Sequence, residues 1–276
     1  MYKVGGLFMI TGSEILAYIS IKFLGDWDKI YDFASSHPQI DYEECKRILS
    51  NIPYKFVKML DKDYPSELKH VYKPPFVLFY LGDLSLLNHI ENNLGVVGTR
   101  DMTKYGAYYT HTIVKELAKR YTIVSGLALG IDTMAHVACL DAKGKTIAVL
   151  PSGIMYPYPR RHAHVYKRII EEGGLVISEY PDEYVPIEDN FPIRNRIIAG
   201  ITRALFVPEA HPMSGTLITI NMSIELGHAI FCLPSKVYEN SLCNILIREG
   251  ATLVQTADDI IEDFEYENHE IEKNLK

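Results

Sequence analysis

The 276-residue chain is 47% hydrophobic and 23% charged, which is the composition of an ordinary globular protein. No run of 18 or more apolar residues occurs, so the sequence predicts no membrane-spanning helix. The net charge of −7 is unevenly distributed. Residues 94–203 hold 14 Lys and Arg against 11 Asp and Glu (+3), whereas residues 221–276 hold 4 against 11 (−7). A nucleic-acid site needs only a local positive patch, so this charge excludes no class of partner.

Four cysteines are scattered along the chain with no close pair at the spacing of metal ligands. Cysteines of this kind are usually small buried residues in the reducing cytosol, so we expect a cytoplasmic protein without zinc. Residues 1–10 are apolar apart from one lysine, which predicts the run-in to a helix rather than a secretion signal. The cysteines are Cys45, Cys139, Cys232 and Cys243.

The first 60 residues predict a small helical domain. Residues 61–83 contain three prolines and then an apolar run, which predicts an extended link and one additional strand. The predicted helices of the first domain are 13–23, 26–35 and 42–49.

From residue 95 onwards, short apolar runs alternate with helical patterns, which is typical of a parallel sheet covered on both faces. We therefore predict an α/β fold over residues 61–264, with a Rossmann-like, doubly wound and mostly parallel sheet. An acidic polar tail that frays is expected at 265–276. The predicted strands are 95–97, 122–124, 146–150, 175–178, 204–207, 229–233 and 252–254. The predicted helices are 103–120, 131–142, 164–172, 193–201, 216–226 and 242–248.

Small and polar residues follow five of the predicted strands. In a parallel α/β sheet, such turns lie together at the carboxyl edge, where these folds bind ligands. We therefore expect one shared cleft at this edge. The turns are 98–103, 125–132, 151–153 together with 158–159, 178–179 and 214–216.

The residue types in this cleft suit phosphate. Gly98 permits close approach of the backbone, and a helix that starts near Thr103 would point free N–H groups into the cleft. Arg100 offers a planar fork to a pair of phosphate oxygens. The run Ser214-Gly215-Thr216 repeats the arrangement at another helix start. The alternative role of Thr103 and Ser214 is helix capping, which is compatible with ligand binding.

A proline at a predicted helix start places Arg194 and Arg196 in the first helical turn. Cations at this position oppose the helix dipole, so we expect an anion nearby. Phe191, just before them, offers a ring face on which a base could stack. The alternative is that Phe191 packs under the helix and that both arginines pair with Glu179 or Asp189.

Asp132 and His136 lie four residues apart on one predicted helix, and we expect a local hydrogen bond between them rather than a metal site. The sequence contains neither a Gly-x-x-x-x-Gly-Lys-Ser/Thr loop nor a Gly-x-Gly-x-x-Gly turn. ATP hydrolysis and a dinucleotide cofactor are therefore not expected. We predict no cofactor and no metal.

Six motifs follow one another in a defined order: Val97-Gly98-Thr99-Arg100, Ser125-Gly126-Leu127-Ala128-x-Gly130-Ile131-Asp132, Tyr158-Pro159, Ser178-Glu179, Phe191-Pro192-x-Arg194-Asn195-Arg196 and Ser214-Gly215-Thr216. Together they closely resemble the DprA/Smf family of DNA-processing proteins. The similarity extends from residue 61 to about residue 260. The N-terminal helices resemble the sterile-alpha-motif-like domain of many members.

This resemblance implies binding of incoming single-stranded DNA in the cytosol during natural transformation. It also implies a homodimer, delivery of the strand to the RecA recombinase, no catalysis and no membrane partner. The chain departs from the family in two ways: Thr99 and Thr103 stand where serines are usual, and Glu188 and Asp189 precede Phe191 where some members have a basic residue. The residues expected to bind single-stranded DNA are Gly98, Thr99, Arg100, Thr103, Ser125, Gly126, Gly130, Asp132, Phe191, Arg194, Asn195, Arg196, Ser214, Gly215 and Thr216.

Two other functions are possible. A nucleoside-monophosphate phosphoribohydrolase of the lysine-decarboxylase-like group has a related sheet, but it needs a Pro-Gly-Gly-x-Gly-Thr-x-x-Glu stretch. Here Thr216 is followed three residues later by Thr219, and the next acid is Glu225. The third possibility is a non-catalytic scaffold for protein interaction. Assays of AMP hydrolysis and of binding to an oligo-dT strand discriminate among the three.

Overall fold

The computed structural model describes residues 12–36 and 38–274, so the predicted run-in at 1–10 lies outside the described residues. The helices are α1 (Gly12–Lys22), α2 (Trp27–Ser35), α3 (Tyr42–Ser50), α4 (Lys104–Leu117), α5 (Ile131–Asp141), α6 (Ala163–Glu171), α7 (Asn190–Gly200), α8 (Thr216–Glu225), α9 (Leu242–Arg248) and α10 (Ala257–Asn274). The strands are β1 (Lys55–Lys58), β2 (Val77–Gly82), β3 (Asn93–Val96), β4 (Thr122–Ser125), β5 (Thr146–Gly153), β6 (Leu175–Tyr180), β7 (Ala204–Val207), β8 (Ala229–Cys232) and β9 (Thr252–Leu253).

The nine strands form one sheet in the order β1-β2-β6-β5-β4-β3-β7-β8-β9. Strands β3 to β9 pair in parallel, and β1 and β2 extend one side as antiparallel strands. From β3 the chain winds outwards through β4, β5 and β6, and then returns to the other side of β3 for β7, β8 and β9. This confirms the predicted doubly wound α/β fold, and it places the topological switch point at β3, between β4 and β7.

Strand β5 illustrates why the central strands read as continuous apolar runs. Ile147 and Val149 pack into the core beneath α7, α8 and α9, whereas Ala148 and Leu150 pack into a core on the opposite face that includes α6. Side chains of a strand alternate between the two faces, and helices cover both faces here. The helices α4, α5 and α10 cover the same opposite face around Phe206.

The three N-terminal helices have a small core of their own around Tyr18, Ile30 and Cys45. They also contact the sheet, because Ala17 of α1 belongs to the same apolar cluster as Phe79 of β2. Strand β1 already pairs with β2, so the sheet begins before residue 61. The domain boundary after residue 60 stays a prediction.

Helix α10 was not predicted, and part of it occupies the segment expected to fray. Its buried side chains Ala257, Ile260 and Phe264 share one face and pack on the core beside α4. The Asp259 carboxylate also accepts hydrogen bonds from the backbone N–H groups of Gln255 and Thr256, each at 2.8 Å. The helix was not predicted because its short apolar stripe is surrounded by many acidic residues, which weaken the amphipathic pattern. Among the described residues, no helix is both long enough and apolar enough to cross a membrane.

Candidate nucleic-acid interface

A cleft of about 900 Å³ opens at the carboxyl edge of the sheet, at the switch point on β3. Its walls come from the segments that follow β3, β4, β5, β6 and β7, so the turns of five strands meet there. The predicted residues that line it are Gly98, Thr99, Arg100, Asp132, Phe191, Arg194, Asn195, Ser214, Gly215 and Thr216. The predicted residues that do not line it are Thr103, Ser125, Gly126, Gly130 and Arg196.

The N-terminus of α4 is occupied by a carboxylate of the chain itself. Oε2 of Glu209 accepts hydrogen bonds from the backbone N–H of Thr103 at 3.0 Å and from its hydroxyl at 3.1 Å. The Thr103 hydroxyl in turn caps the helix by accepting from the N–H of Gly106 at 3.1 Å. Negative charge is favourable at this helix end. Glu209 therefore occupies the anion position at the start of α4, and Thr103 does not line the cleft.

Ser125, Gly126 and Gly130 support the floor of the cleft from below. The Ser125 hydroxyl donates to the carbonyl of Val96 at 2.6 Å and so joins β4 to β3. A Cβ at Gly126 would collide with the guanidinium of Arg194, and a Cβ at Gly130, whose φ is 75°, would collide with the carbonyl oxygen of Thr99. The structure thus gives these glycines a role in the close packing of the turns.

Arg194 forms part of the floor. Its side chain is buried, and its Nη1 donates to the carbonyl of Gly126 at 2.6 Å and to the carbonyl of Val149. Burial lowers the pKa of Arg194 to about 10, which leaves the guanidinium charged at neutral pH. Asp132 is also buried beside it, and burial raises the pKa of that carboxyl while the Arg194 charge opposes the rise. The floor therefore carries a fixed cation that is held by backbone carbonyls.

Arg196 does not belong to the cleft. Its Nη2 donates to both carboxylate oxygens of Glu179 at 2.8 Å, and its Nε donates to the carbonyl of Lys73 at 2.9 Å. Helix α7 begins at Asn190, three residues earlier than predicted, so neither Arg194 nor Arg196 lies in its first turn. Residues two apart on a helix point to different sides, and only Arg194 points to the cleft. For Arg196, the structure therefore confirms the alternative prediction, an ion pair with Glu179.

The mouth of the cleft is formed by a cation and two aromatic rings. The Arg100 guanidinium carbon lies 5.0 Å from the centroid of the Phe191 ring, and the Phe191 and Tyr158 rings meet edge to face at 5.6 Å. Arg100 is exposed, and among the side chains that the structure describes, residues 14–36 and 38–265, no carboxylate forms a salt bridge with it. Phe191 is only half-buried and belongs to none of the apolar cores. An exposed planar cation and a half-buried aromatic ring therefore stand together at the mouth of the cleft.

The N-terminus of α8 differs from that of α4. Gly215 is its N-cap, and no side chain caps the helix. An added Cβ at Gly215 would meet no atom within 4 Å, so a ligand can approach the backbone closely there. The buried hydroxyl of Ser214 has no hydrogen-bond partner among the described residues, and the Thr216 hydroxyl donates to the Gly98 carbonyl at 3.0 Å. This helix end therefore retains the capacity to bind an anion.

Asp132 and His136 do not bond to each other, which corrects the expected local pair. Asp132 accepts from the N–H of Gly126 at 3.2 Å, whereas Nδ1 of His136 bonds to the hydroxyl of Thr146 at 2.7 Å. Burial lowers the pKa of His136 to about 3. No cluster of three or more His, Cys, Asp or Glu suited to a metal ion occurs in the part of the chain that the structure describes.

Some residues of the site were not selected from the sequence. The turn with Tyr158 was predicted to lie at the carboxyl edge, but Tyr158 was not selected as a binding residue. Glu209 could have been suspected because it lies two residues after the end of β7, at the same edge as the polar turns. The exposed carboxylates Glu188 and Asp189 line the rim, which makes the cleft less positive than its arginines alone suggest.

The sequence model of the family described as DNA recombination-mediator protein A matches residues 55–265. The DNA processing protein DprA of Streptococcus pneumoniae is 38% identical over 236 residues, which cover 85% of this chain and 82% of that protein. Protein Smf of Synechocystis is 42% identical over 215 residues, which cover 75% of this chain and 53% of that protein. The chain thus spans about half the length of this second relative.

Two solved structures show the same fold. The X-ray structure of DNA processing protein A from Streptococcus pneumoniae superposes with a TM-score of 0.76 at 35% identity, over 92% of this chain and 93% of that chain. DNA processing protein A from Helicobacter pylori, whose structure was described for its single-stranded DNA binding mode, has a TM-score of 0.70 at 28% identity, over 79% and 98% of the two chains. The chain therefore belongs to the DNA recombination-mediator protein A family, that is, to the DprA/Smf proteins of DNA processing.

Proposed function

We propose that the chain binds single-stranded DNA in the cleft at the carboxyl edge of its sheet, without catalysing a reaction on it. The observation that carries this proposal is the exposed Arg100 guanidinium, which lies against the Phe191 ring at the mouth of the cleft. A groove for single strands combines cations for the phosphates with aromatic faces for the bases. The Helicobacter pylori relative, described for its single-stranded DNA binding mode, supports the same assignment.

Two further features of the cleft suit a phosphodiester backbone. The uncapped start of α8 presents Gly215 in open space, where a phosphate oxygen can reach backbone N–H groups. Beneath it, Arg194 holds a positive charge that cannot turn away, because backbone carbonyls fix its guanidinium. We propose the ten lining residues as the contacting set and Ser125, Gly126 and Gly130 as its support.

The rim carboxylates set the expected strength of binding. Glu188 and Asp189 stand at the entrance, so a phosphate that approaches the cleft meets both attraction and repulsion. We therefore expect moderate affinity with few phosphate contacts and a correspondingly shallow salt dependence.

Phosphoribohydrolase chemistry fits this cleft poorly. The position at which that activity needs a carboxylate is taken by Thr219, whose side chain lines the cleft. Glu225 is the last residue of α8, at the end of the helix away from the cleft. With a rise of about 1.5 Å per residue, it stands roughly 13 Å along the axis from Thr216.

The test is a fluorescence-anisotropy titration of labelled oligo-dT and of a duplex, each at two salt concentrations. We expect tighter binding to the single strand, with an affinity that falls as salt rises. Arg100→Ala should weaken binding, whereas Arg47→Ala, which removes an exposed arginine from α3, should leave it unchanged. Equal affinity for the duplex, or equal effects of the two substitutions, would reject the cleft as the DNA site.

We further propose that the chain delivers the bound strand to the RecA recombinase during natural transformation, and that it acts as a homodimer. Membership of the DprA/Smf family supports both statements. The delivery step is tested by the rate of RecA filament formation on oligo-dT with and without the protein, with Arg100→Ala as the variant impaired in DNA binding. Sedimentation equilibrium tests the dimer.

A further inference from the structure

A second groove, of about 500 Å³, lies beside the cleft at the start of α7 and shares Asp189 and Pro192 with its lining. It lies where the N-terminal helices meet the α/β domain, and we call it the seam groove. One wall comes from α2 and the turn before it, the other from the β6–α7 loop and the start of α7. Its floor is the buried ion pair of Glu179 and Arg196. The apolar and aromatic residues that line it include Leu24, Trp27, Tyr72, Tyr184, Ile187 and Ile193.

Large apolar side chains stand exposed around the seam groove. Tyr72 is 76% exposed and Ile187 is 58% exposed, and both line the groove. Val185 of the same loop and Tyr31, which stacks on Trp27, continue the apolar surface beyond it. Single exposed apolar residues are ordinary, but a contiguous set around a concave groove marks an interaction site.

The charges of the seam groove are unfavourable to DNA. Its three cations are all paired at close range: Lys29 with Asp26 at 2.8 Å, Lys73 with Asp28 at 2.6 Å, and Arg196 with Glu179 at 2.8 Å. The β6–α7 loop, residues 181–189, contains four carboxylates and no Lys or Arg, and one of these carboxylates, Asp189, lines the seam groove. A phosphate backbone would be repelled here, whereas a positively charged partner would be attracted.

We propose that the seam groove docks a protein segment that carries large apolar side chains flanked by Lys or Arg. The apolar side chains would bury Tyr72 and Ile187, and the basic residues would pair with the carboxylates of the β6–α7 loop. Acidic rims around apolar grooves are matched in this way by basic amphipathic segments. The seam groove and the cleft are neighbours at the start of α7 and share Asp189 and Pro192 in their linings, but Arg100 and Phe191 line only the cleft, whereas Tyr72 and Ile187 line only the seam groove. Its partner is therefore a protein, while the cleft holds the strand.

The chain contains one tryptophan, Trp27, and it lines the seam groove. Its emission therefore reports on this groove alone. The probe is a short tryptophan-free peptide of Leu and Lys, with leucines at i, i+3, i+4 and i+7 so that they form one face of a helix. A peptide in which Glu replaces every Lys is the matched control. Titrations are made with the full chain at about 0.15 M salt, where attraction between distant charges is screened.

Two tyrosines of the chain make a matched pair of variants. Tyr72 in the groove is 76% exposed and has Lys73 Nζ 5.7 Å from its ring, and Tyr238 in the β8–α9 loop is 80% exposed and has Lys236 Nζ 5.7 Å from its ring. Tyr72→Ala should weaken binding of the Leu/Lys peptide at least tenfold, and Tyr238→Ala should not change it. Ile187→Ser, which adds no charge beside the rim of the cleft, provides a second disruption in the groove. All three variants should retain the oligo-dT affinity of the unsubstituted chain.

The expected result is a saturable change of Trp27 emission with the Leu/Lys peptide that the Leu/Glu peptide does not produce. Equal responses to both peptides, no saturable response, or equal losses in Tyr72→Ala and Tyr238→Ala would overturn the proposal. A change of emission with protein concentration alone would show that a second copy of the chain occupies the groove. Competition by oligo-dT for the peptide would show that DNA occupies it. Either outcome would replace the proposal, and neither would affect the test of the cleft with Arg100→Ala.

Discussion

Replacement of Phe191 by alanine separates a ring that stacks on a base from a ring that holds the fold. If the ring stacks on a base, its loss should cost about 1–3 kcal/mol of binding free energy, which is about a 5- to 150-fold increase of Kd. In the folded protein the half-buried ring makes two specific contacts, with the Arg100 guanidinium and the Tyr158 ring. These are worth about 0.5–1 and about 0.5–1.5 kcal/mol. Loss of the apolar burial of a half-buried ring adds about 1 kcal/mol. The stability loss should therefore be about 2–3.5 kcal/mol, which reaches only the lower part of the 3–5 kcal/mol typical of a core Phe truncation, so the change of affinity is the decisive measurement.

Binding is measured by anisotropy with labelled oligo-dT, and stability by urea unfolding of the free protein. Phe191→Tyr should recover most of the affinity because it keeps the ring face. The control is Phe56→Ala on β1, since Phe56 is also half-buried and also has a cation near its ring, Lys58 Nζ at 5.4 Å. It should lose stability without losing affinity. A Phe191→Ala protein that binds normally, once corrected for its folded fraction, and loses 3–5 kcal/mol of stability would refute base stacking.

Four further outcomes are expected. Gly215→Ala adds a methyl group in open space at the start of α8, so it should weaken oligo-dT binding, while the free energy of unfolding in urea should change by no more than about 1 kcal/mol. Unchanged affinity would show that no phosphate binds at this helix end. Arg196→Leu leaves the buried Glu179 without its partner and should destabilise the fold by about 3–5 kcal/mol in urea unfolding, and the additional change Glu179→Leu should restore most of this loss. Glu188→Gln removes a rim carboxylate and should tighten oligo-dT binding by about 1.4- to 5-fold at low salt and by less at high salt. A change of affinity that does not depend on salt would exclude electrostatic repulsion as its cause. Burial lowers the pKa of His136 to about 3, so between pH 6.5 and 3 the His136 imidazole takes up a proton only in the unfolded chain. The free energy of unfolding should therefore fall as the pH falls, by about 1.4 kcal/mol per pH unit. His136→Gln should reduce this pH dependence, measured by urea unfolding at a series of pH values.

The order of the helices and strands and the position of the cleft could both be predicted from the sequence. Continuous apolar runs between helical patterns can be buried only in a sheet that is covered on both faces, and the parallel strand direction then brings the turns together at one edge. The two strongest errors of assignment, β1 and α10, have a common cause. β1 has four residues and pairs at the side of the sheet, and α10 carries its apolar stripe among many acids, so neither shows a clear periodic signal.

The roles of individual cleft residues were less predictable. Periodicity shows that Arg194 and Arg196 face different sides of a helix, but it does not show which side faces the cleft. Which of the two arginines faces the cleft depends on the start of α7 at Asn190 and on the position of Glu179, whose buried carboxylate binds Arg196 on the seam-groove side. Similarly, Glu209 can bind at the start of α4 only because the end of β7 lies beside it. Glu209 and Thr103, which form this contact, are 106 residues apart in the sequence.

The sequence by itself thus determined the α/β class, the family and the edge of the sheet at which the polar turns form a cleft, because these follow from local periodicity and from short motifs. Only the tertiary structure decided that Arg100 stays exposed over Phe191, that Arg196 is tied to Glu179, and that an acidic, aromatic groove lies beside the cleft. These outcomes depend on which distant side chains meet when the helices pack on the sheet. Such meetings are governed by close packing and by the cost of burying an unpaired charge, and neither is encoded in any short stretch of the chain.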